Sequence, residues 1–284
     1  MKKFEPHLWI RAVSRLVAAY PFLRGRTRLR RMAGKWLVGQ LPFGAWIRVT
    51  GVVEAEWGFL LGAVKEDATT EYMKSIIQPG MTFVDVGANI GYFTLLAASQ
   101  GAHVVAYEPT RAVFERLREN VALNGFDDVT VVNAAVAEKR GTLTLYESTN
   151  DPEANNLFGD GDHPVEVATI CLDDDLAEHG VEKVDLLKVD VEGAEPLVLA
   201  GAIRLLRSTA APTIVMELNP VALRFANSEP ADLLNRLESS GYRCTELERA
   251  MYQGEIVVNI LAVPDERKKR DTVSAQPSAA SAPK

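Results

Sequence analysis

Cysteine is almost absent from this sequence, and histidine is sparse. Cys171 and Cys244 are the only cysteines and lie far apart, and the four histidines show no ligand spacing. We therefore expect neither a disulfide framework nor a zinc site. The low cysteine content fits a reducing cytoplasm best.

Long uncharged apolar runs are also missing. The amino terminus begins with lysines, but Arg11 and Arg15 interrupt the apolar stretch that a signal peptide needs. A membrane-spanning helix needs about 20 consecutive apolar residues, and the sequence contains no such run. We predict a cytoplasmic protein that is neither secreted nor membrane-spanning.

The composition is that of an ordinary globular protein. Hydrophobic residues make up 47% of the chain, charged residues 24% and aromatic residues 7%, which excludes a disordered or fibrous chain. The 284 residues suffice for one α/β domain of roughly 200–250 residues with extensions.

Positive charge is concentrated at the amino terminus. Residues 1–50 contain eleven lysines and arginines against the single acid Glu5, a charge of +10, which leaves −17 for the rest of a chain whose total is −7. Such asymmetry is typical of an arm that meets anionic lipid, nucleic acid or the acidic body of the protein itself.

Residues 1–50 are predicted to form a basic helical extension. Trp9, Val13 and Tyr20 recur at helical spacing, and Pro21 ends the pattern, which predicts an amphipathic helix over residues 6–20. A basic cluster follows over residues 24–31. One interpretation of residues 1–35 is peripheral membrane contact or substrate docking; the other is a solvated basic helix packed on the domain.

From residue 82 onward, short apolar and β-branched runs alternate with helical patterns. This alternation predicts an α/β fold with a parallel, doubly wound sheet. The predicted strands are Thr82–Val86, His103–Tyr107, Val129–Val132, Val184–Val189 and Thr213–Met216. The predicted helices are Tyr92–Ser99, Arg111–Asn124, Glu195–Leu206 and Ala231–Ser239.

Two more strand pairs are predicted later in the chain. Gly141–Tyr146 and Val165–Thr169 flank the polar loop ESTNDPEANNLFGDGDHP, a position suited to substrate recognition. Arg243–Glu246 and Glu255–Val263 predict a closing antiparallel pair. The expected division is the extension (1–50), one domain (51–264) and a disordered Ser/Ala/Pro-rich tail (265–284).

The stretch FVDVGANIGYFTLL (83–96) combines a buried-type strand, a glycine turn and a helix start. Gly87 and Gly91 allow the tight turn that a nucleotide-like ligand requires. The pattern is not G-x-G-x-x-G, because Asn89 and Tyr92 occupy its second and third glycine positions. It also lacks the Gly-Lys-Ser/Thr of a P-loop, so phosphate is not the expected ligand.

A second strand, HVVAYEP, ends in Glu108. A carboxylate at this place can accept both hydroxyls of a ribose. A nucleoside that has no pyrophosphate and tolerates the nearby Asp85 fits both observations, and S-adenosylmethionine, whose ammonium and sulfonium are cationic, is such a ligand. The alternative is a glycine turn that is purely structural.

The fourth strand, VDLLKVDVEGAEPL, collects charge near its carboxyl end. Lys188, Asp190 and Glu192 are spaced by two, so in extended backbone they share one side. Ligands bind at this end of open parallel sheets, and charged groups are costly to gather there without a role. The alternative is a solvated strand end followed by helix-start acids at Glu192 or Glu195.

Together, VDVGANIGYFT, AYEP and LLKVDVEGAE make the chain resemble the FkbM family of S-adenosylmethionine-dependent methyltransferases. The resemblance spans roughly residues 66–264 and includes KEDATTEYMKSIIQPGMTFVDVGANIG, NAAVAEKRGTLTLY, VEVATICLDDDL and NILAVP. It implies a Rossmann-like class I methyltransferase fold, a seven-stranded and mostly parallel sheet with helices on both faces and an antiparallel last strand. It also implies O-methylation of a sugar, polyketide or lipid-linked acceptor.

Carried over residue by residue, the resemblance implies a cofactor site, and the chemistry of O-methylation requires a base beside it. The cofactor residues would be Asp85, Gly87, Ala88, Asn89, Gly91, Tyr92 and Glu108. An alcohol ionises far above neutral pH, so a base must take its proton during attack. Asp190 and Glu192 are the leading candidates, and Lys188 would stabilise the alkoxide, orient a carboxylate or form a structural ion pair.

A divalent metal is a second route to an alkoxide. The fifth strand, TIVMELNP, brings Glu217 and Asn219 to the same sheet edge as Asp190, and oxygen ligands of this kind suit magnesium. Glu217 and Asn219 are otherwise candidates for substrate contact or for capping the edge. His163, in the polar loop, is another candidate base or a polar loop residue.

Three other functions share parts of these patterns. A nicotinamide oxidoreductase would need the two missing glycines. A nucleic-acid methyltransferase would use the basic arm on phosphates, but the body after residue 50 is acidic, and Asn219-Pro220 is followed by Val221 rather than by a Pro-aromatic pair. A non-catalytic nucleoside-binding module would not need Lys188, Asp190 and Glu192.

Overall fold

The computed structural model describes residues 37–49, 55–147 and 163–265 of the chain. Several predicted features lie outside the described residues: the helix over 6–20, the basic cluster that follows it, the polar loop between residues 147 and 163, and the tail after residue 265. The proposed membrane or docking role of residues 1–35 and the domain limits stay predictions.

The described residues form twelve strands and eight α-helices, with a 3₁₀ helix at Ala55–Leu61. The strands are β1 (Val38–Gln40), β2 (Trp46–Arg48), β3 (Thr82–Val86), β4 (His103–Tyr107), β5 (Val129–Val132), β6 (Ala135–Val136), β7 (Gly141–Glu147), β8 (His163–Ile170), β9 (Leu186–Val189), β10 (Thr213–Leu218), β11 (Tyr242–Tyr252) and β12 (Glu255–Pro264). The helices are α1 (Asp67–Ile76), α2 (Tyr92–Ser99), α3 (Arg111–Asn124), α4 (Leu172–Glu178), α5 (Glu195–Gly201), α6 (Ile203–Arg207), α7 (Pro220–Phe225) and α8 (Pro230–Ser239).

Seven strands form the central sheet in the order β11-β12-β10-β9-β3-β4-β5. Neighbours from β10 to β5 are parallel, and β12 is antiparallel to both β10 and β11. This arrangement confirms the α/β prediction and the seven-stranded, mostly parallel sheet with an antiparallel last strand. The predicted limits of β3, β4 and β5 agree with the structure, while β9 begins two residues later than predicted and β10 ends two residues later.

Helices cover both faces of this sheet, as predicted. Because side chains alternate along a strand, Phe83 of β3 enters the core shared with α1, α2 and α3. Its neighbours Val84 and Val86 enter the opposite core, which α4 to α8 cover. Strands that are buried on both faces lack polar alternation, which is why these strands appear in the sequence as short continuous apolar runs.

The helix predicted over residues 195–206 is two helices in the structure. Asp173 explains the break, because its carboxylate accepts the backbone N–H groups of Arg204 at 2.7 Å and Leu205 at 2.8 Å. This carboxylate therefore begins α6 as a separate helix. The helical spacing of apolar residues continues across the break. The division into two helices therefore depends on Asp173, which is distant in the chain.

Residues 37–49, which lie within the predicted extension (1–50), pack against the domain as a hairpin. The backbone N–H of Trp46 donates to Asn124 at 2.7 Å, and that of Arg48 donates to Asn120 at 2.8 Å. The amides of α3 thereby satisfy the exposed edge of β2. Leu37 and Ile47 are fully buried in the same core as α2.

The strand pair that was predicted to flank the polar loop is also present. β7 and β8 form an antiparallel pair, and β6 adds to β8 to make a separate three-stranded sheet. This small sheet lies next to the carboxyl end of β5 through Ala135 and Val136. Within the described part of the chain, no helix is long and apolar enough to cross a membrane.

Candidate active site

The glycine turn packs directly against the end of β9. Gly87 has a φ of +83°, and a Cβ atom at this position would lie 1.8 Å from the backbone oxygen of Asp190. The N–H groups of Gly87 and Ala88 both donate to the carbonyl of Tyr107, each at 3.0 Å. The turn therefore bridges β9 and β4, and only glycine fits its first position.

Asp85 and Tyr92 lie beneath this turn. Asp85 is 1% exposed, accepts a hydrogen bond from Thr94 at 2.7 Å and has a pKa raised by burial despite the nearby Lys188. The Tyr92 ring packs between Phe43 and Phe59, each with its centroid 5.4 Å away. Both predicted cofactor residues therefore support the turn from below.

Glu108 follows β4 and points back towards the turn. Its carboxylate accepts the backbone N–H of Asn89 at 3.1 Å and that of Thr110 at 2.8 Å. Burial raises the pKa of Glu108 to about 7, against the lowering effect of hydrogen bonds from Thr110 and Asn89. The Thr110 side chain also hydrogen-bonds to this carboxylate. A carboxylate has about four lone-pair sites, so about one remains for a ligand.

A cavity of about 330 Å³ opens between the glycine turn, Glu108 and the ends of β9 and β10. We call it the cofactor cavity. One end is apolar and the other is charged, a division that suits a nucleoside with a polar substituent. It is lined by Lys65, Glu66, Val86, Gly87, Asn89, Tyr107, Glu108, Pro109, Thr110, Val113, Ala134, Ala135, Val136, Leu145, Asp190, Val191, Glu192, Ala194 and Glu217.

Lys188 and Asp190 form a buried ion pair at the charged end. The Lys188 Nζ lies 2.8 Å from the Asp190 Oδ2 and 4.6 Å from the centroid of the Phe93 ring. Burial opposes the ionisation of Asp190, but Lys188 and Lys65 outweigh it and hold its pKa at about 2. Lys188 is 2% exposed and is not among the residues that line the cofactor cavity, whereas its partner Asp190 is.

Glu192 lines the cofactor cavity from a strained turn. Its φ is +50°, a left-handed conformation that is costly for a residue with a side chain. Glu195 holds this turn by accepting the N–H groups of Val191 and Gly193, each at 3.3 Å. Burial, with the neighbouring charge of Asp190, raises the pKa of Glu192 to about 8.

Asn219 has a different position from the one that the metal hypothesis needs. Its side-chain oxygen accepts the N–H groups of Val221 at 3.1 Å and Ala222 at 3.3 Å, so it caps α7. Its amide donates to Glu192 at 3.3 Å. Both lone pairs of the oxygen are occupied, so a metal on this side chain would disrupt the start of the helix.

Three carboxylates do come together, with Glu192 in the place expected for Asn219. Oxygens of Asp190, Glu192 and Glu217 lie within 4.8 Å of one another, close enough to hold a divalent cation. Burial, with Asp190 and Glu192, raises the pKa of Glu217 to about 9. Among the described residues, the Glu217 carboxylate has no hydrogen-bond partner.

His163 lies apart from this cluster. It is exposed and begins β8, where its backbone lies opposite that of Glu147 in the antiparallel pair of β7 and β8. It is not among the residues that line the cofactor cavity. The sequence placed it in a polar loop, and the structure places it at the beginning of a strand.

Several cavity residues were not singled out from the sequence. Lys65 and Glu66 precede α1, a helix that the sequence analysis did not predict, and Ala134–Val136 follow β5. Both segments fall within quoted motifs, KEDATTEYMK and NAAVAEKRG. The available signal was their position immediately before a helix and after a strand end, where open parallel sheets bind ligands.

The sequence of this domain matches a known family. The family model described as "Methyltransferase FkbM domain" matches residues 85–244. This range includes the glycine turn, Glu108, and all three carboxylates of the charged cluster. It is more than half of the chain.

Three relatives illustrate the similarity. Methyltransferase sdnD of Sordaria araneosa is 34% identical over 42% of this chain and 59% of its own length. The 31-O-demethyl-FK506 methyltransferase FkbM of Streptomyces tacrolimicus is 29% identical over 57% of this chain and 74% of its own. The 2-O-methyltransferase NoeI of Sinorhizobium fredii is 28% identical over 46% of this chain and 61% of its own length. The chain thus spans about three-fifths of the length of two of these relatives.

Proposed function

Because the chain belongs to the FkbM methyltransferase family, we propose that it transfers the methyl group of S-adenosylmethionine to a hydroxyl of a small-molecule acceptor. The acceptor classes that we propose are a sugar, a polyketide or a lipid-linked glycan. The observation that carries the proposal is the cofactor cavity, in which a nucleoside-type pocket at Glu108 ends in the carboxylates of Asp190 and Glu192.

The residues present fit this cofactor. Glu108 lines the cavity and keeps a lone-pair site for a ribose hydroxyl, and the apolar walls near Pro109, Ala135 and Leu145 suit a base. At the other end, the ionised Asp190 suits a cationic group. Bound S-adenosylmethionine supplies an electrophilic methyl group on a sulfonium, which becomes a neutral thioether when the methyl leaves.

Glu108→Gln tests the cofactor assignment. Titration calorimetry with S-adenosylhomocysteine should show about tenfold to a hundredfold weaker binding, because a charge-assisted hydrogen bond is lost. Wild-type affinity should also fall as the pH drops below the Glu108 pKa of about 7, since protonation removes acceptor sites. The variant should show a much flatter pH profile.

The matched control is Glu115→Gln on α3, which should bind like the wild type because Glu115 is partly exposed and does not line the cofactor cavity. Asp85→Ala should weaken binding indirectly, because Asp85 accepts a hydrogen bond from Thr94 beneath the turn. Tighter binding of NADH than of S-adenosylhomocysteine would refute the methyltransferase proposal and favour an oxidoreductase.

Glu192 is the residue that we propose as general base. In the reaction, the acceptor oxygen forms a bond to the methyl carbon, the carbon–sulfur bond breaks towards sulfur, and the hydroxyl proton moves to a carboxylate. Asp190, with a pKa of about 2, is a weak base. Glu192, with a pKa of about 8 and a place on the cavity wall, matches the requirement for a base near neutral pH.

Glu192→Gln should lower kcat by about 10²–10⁴-fold. The KM for S-adenosylmethionine and the affinity for S-adenosylhomocysteine should change by no more than a few-fold, since the amide retains the size of the side chain. Glu195→Gln is the comparison, because Glu195 holds the turn without lining the cavity. An unchanged kcat in Glu192→Gln would remove Glu192 from the mechanism.

The proximity of Asp190, Glu192 and Glu217 favours a second candidate, a divalent cation that ionises the acceptor hydroxyl. Under that mechanism, dialysis against EDTA would abolish turnover and Mg²⁺ would restore it. Persistence of turnover in EDTA would support the general-base mechanism. The same turnover assay distinguishes an enzyme from a non-catalytic binding module, because the module would bind S-adenosylhomocysteine but show no turnover.

A further inference from the structure

A second cavity of about 320 Å³ lies beside the cofactor cavity, between the start of α1 and the hairpin of β11 and β12. The two cavities share the side chains of Glu66 and Glu217. A molecule in the second cavity can therefore reach the charged end of the cofactor cavity between these two carboxyls. The second cavity is lined by Glu66, Asp67, Glu217, Glu248, Arg249, Ala250, Val257 and Asn259.

Asn259 provides an unused polar atom in this cavity. It is 6% exposed and its side-chain amide donates to Glu66 at 3.0 Å, yet its Oδ1 has no hydrogen-bond partner within residues 37–49, 55–147 and 163–265. Asn259 stands directly opposite Glu217 across β10 and β12. A buried acceptor without a donor is costly to the folded protein, so the pair forms an acceptor surface that a ligand with hydroxyl groups would satisfy.

The charged side chains around the cavity are mostly engaged with one another. Glu248 accepts the N–H and the hydroxyl of Thr69 at 3.1 Å and 3.0 Å. Arg249 forms a two-pronged ion pair with Glu246. Among the described residues, the cavity therefore has no uncommitted cation for an acidic ligand, and Glu66, Asp67 and Glu248 in its lining repel one.

We propose that the second cavity binds the acceptor, and that it selects an uncharged, polyhydroxylated molecule such as a sugar ring, whose hydroxyls donate to Asn259 and Glu217. This inference depends on the proposed methyl transfer for the identity of the reaction. It also extends that proposal, because it narrows the acceptor to neutral hydroxyl-bearing molecules and assigns residues to their recognition.

Saturation-transfer NMR on the full chain loaded with S-adenosylhomocysteine tests the proposal. The probes are methyl α-D-glucopyranoside and methyl α-L-rhamnopyranoside, which are neutral, the anionic methyl β-D-glucuronide and the cationic methyl α-D-glucosaminide. We expect a neutral probe to bind and the anionic probe to bind at least about tenfold more weakly. Tighter binding of either charged probe, or no binding of either neutral probe, overturns the proposal.

Two variants test the position of the acceptor. Ala250 is exposed and borders the cavity, so Ala250→Trp should fill its mouth without disturbing the core and weaken neutral-probe binding by about tenfold or more. Asn259→Leu should remove the acceptor oxygen with a similar loss. Thr245→Trp is the control, because it is exposed on the same strand and does not line the cavity.

Neutral-probe binding that is unchanged in both Ala250→Trp and Asn259→Leu would overturn the proposal. Calorimetry with S-adenosylhomocysteine is run on every variant and should give the wild-type affinity. Failure of the wild type to bind S-adenosylhomocysteine counts against the proposed methyl transfer alone, because probe binding can still be measured on the unloaded protein. The two proposals therefore fail on different measurements.

Discussion

Replacing Asp190 with alanine is expected to abolish methyl transfer and to lower the free energy of unfolding by about 3–5 kcal/mol, the usual result of breaking a buried ion pair from one side. The structural reason is Lys188. Its side chain is 2% exposed, and its Nζ donates to Asp190 at 2.8 Å. Without that carboxylate, the ammonium stays buried beside the Phe93 ring and loses the ion-pair partner that contributes most to offsetting its desolvation.

A double variant separates stability from function. Asp190→Leu combined with Lys188→Met should recover most of the lost stability, because removing both partners of a buried pair is often neutral. It should recover no turnover, since Asp190 faces the cofactor cavity. Chemical unfolding and single-turnover assays measure the two effects. A single Asp190→Ala variant as stable as the wild type would refute the structural role of the pair.

Gly87→Ala is expected to have the second largest effect. The change should eliminate measurable binding of S-adenosylhomocysteine and lower the free energy of unfolding by several kcal/mol. Two costs add together: the residue must keep a left-handed conformation, at about 1–2 kcal/mol, and its Cβ would lie 1.8 Å from the Asp190 carbonyl oxygen. Because that contact is with backbone, β9 and the turn would have to separate.

Gly254→Ala provides a closely matched control. Gly254 has a φ of +85°, almost the same as that of Gly87, but a Cβ atom there meets nothing within 4 Å. It should therefore show only the conformational cost of about 1–2 kcal/mol and keep the affinity for S-adenosylhomocysteine. Equal destabilisation by the two substitutions would show that the contact with β9 does not matter.

Much of the sheet was predictable from local patterns. The limits of β3, β4, β5, α2 and α3 follow from apolar runs, turn residues and helical spacing. Elements without such signals were missed. Each strand of the β1–β2 hairpin has only three residues. The edge of β2 forms hydrogen bonds with Asn120 and Asn124 of α3, which are more than 70 positions away in the chain.

The candidate site was also predictable only in part. The glycine turn, Glu108 and the spacing of Lys188, Asp190 and Glu192 were identified from the sequence, and the structure brings them to one edge of the sheet. Their individual surroundings were not predictable. Asp85 proved to lie beneath the turn, Lys188 behind Asp190, and Asn219 at the start of α7 rather than among the clustered carboxylates.

The sequence by itself determined the order of the parallel strands β3, β4, β5, β9 and β10 along the chain and the residue types at their ends, because backbone periodicity and turn chemistry are local. Only the tertiary structure decided which carboxyls are ionised and where a second cavity opens. Ionisation depends on burial and on neighbouring charges, as the pKa values of about 2 for Asp190 and about 9 for Glu217 illustrate. The second cavity depends on contacts such as the one between Asn259 and Glu66, which are 193 positions apart.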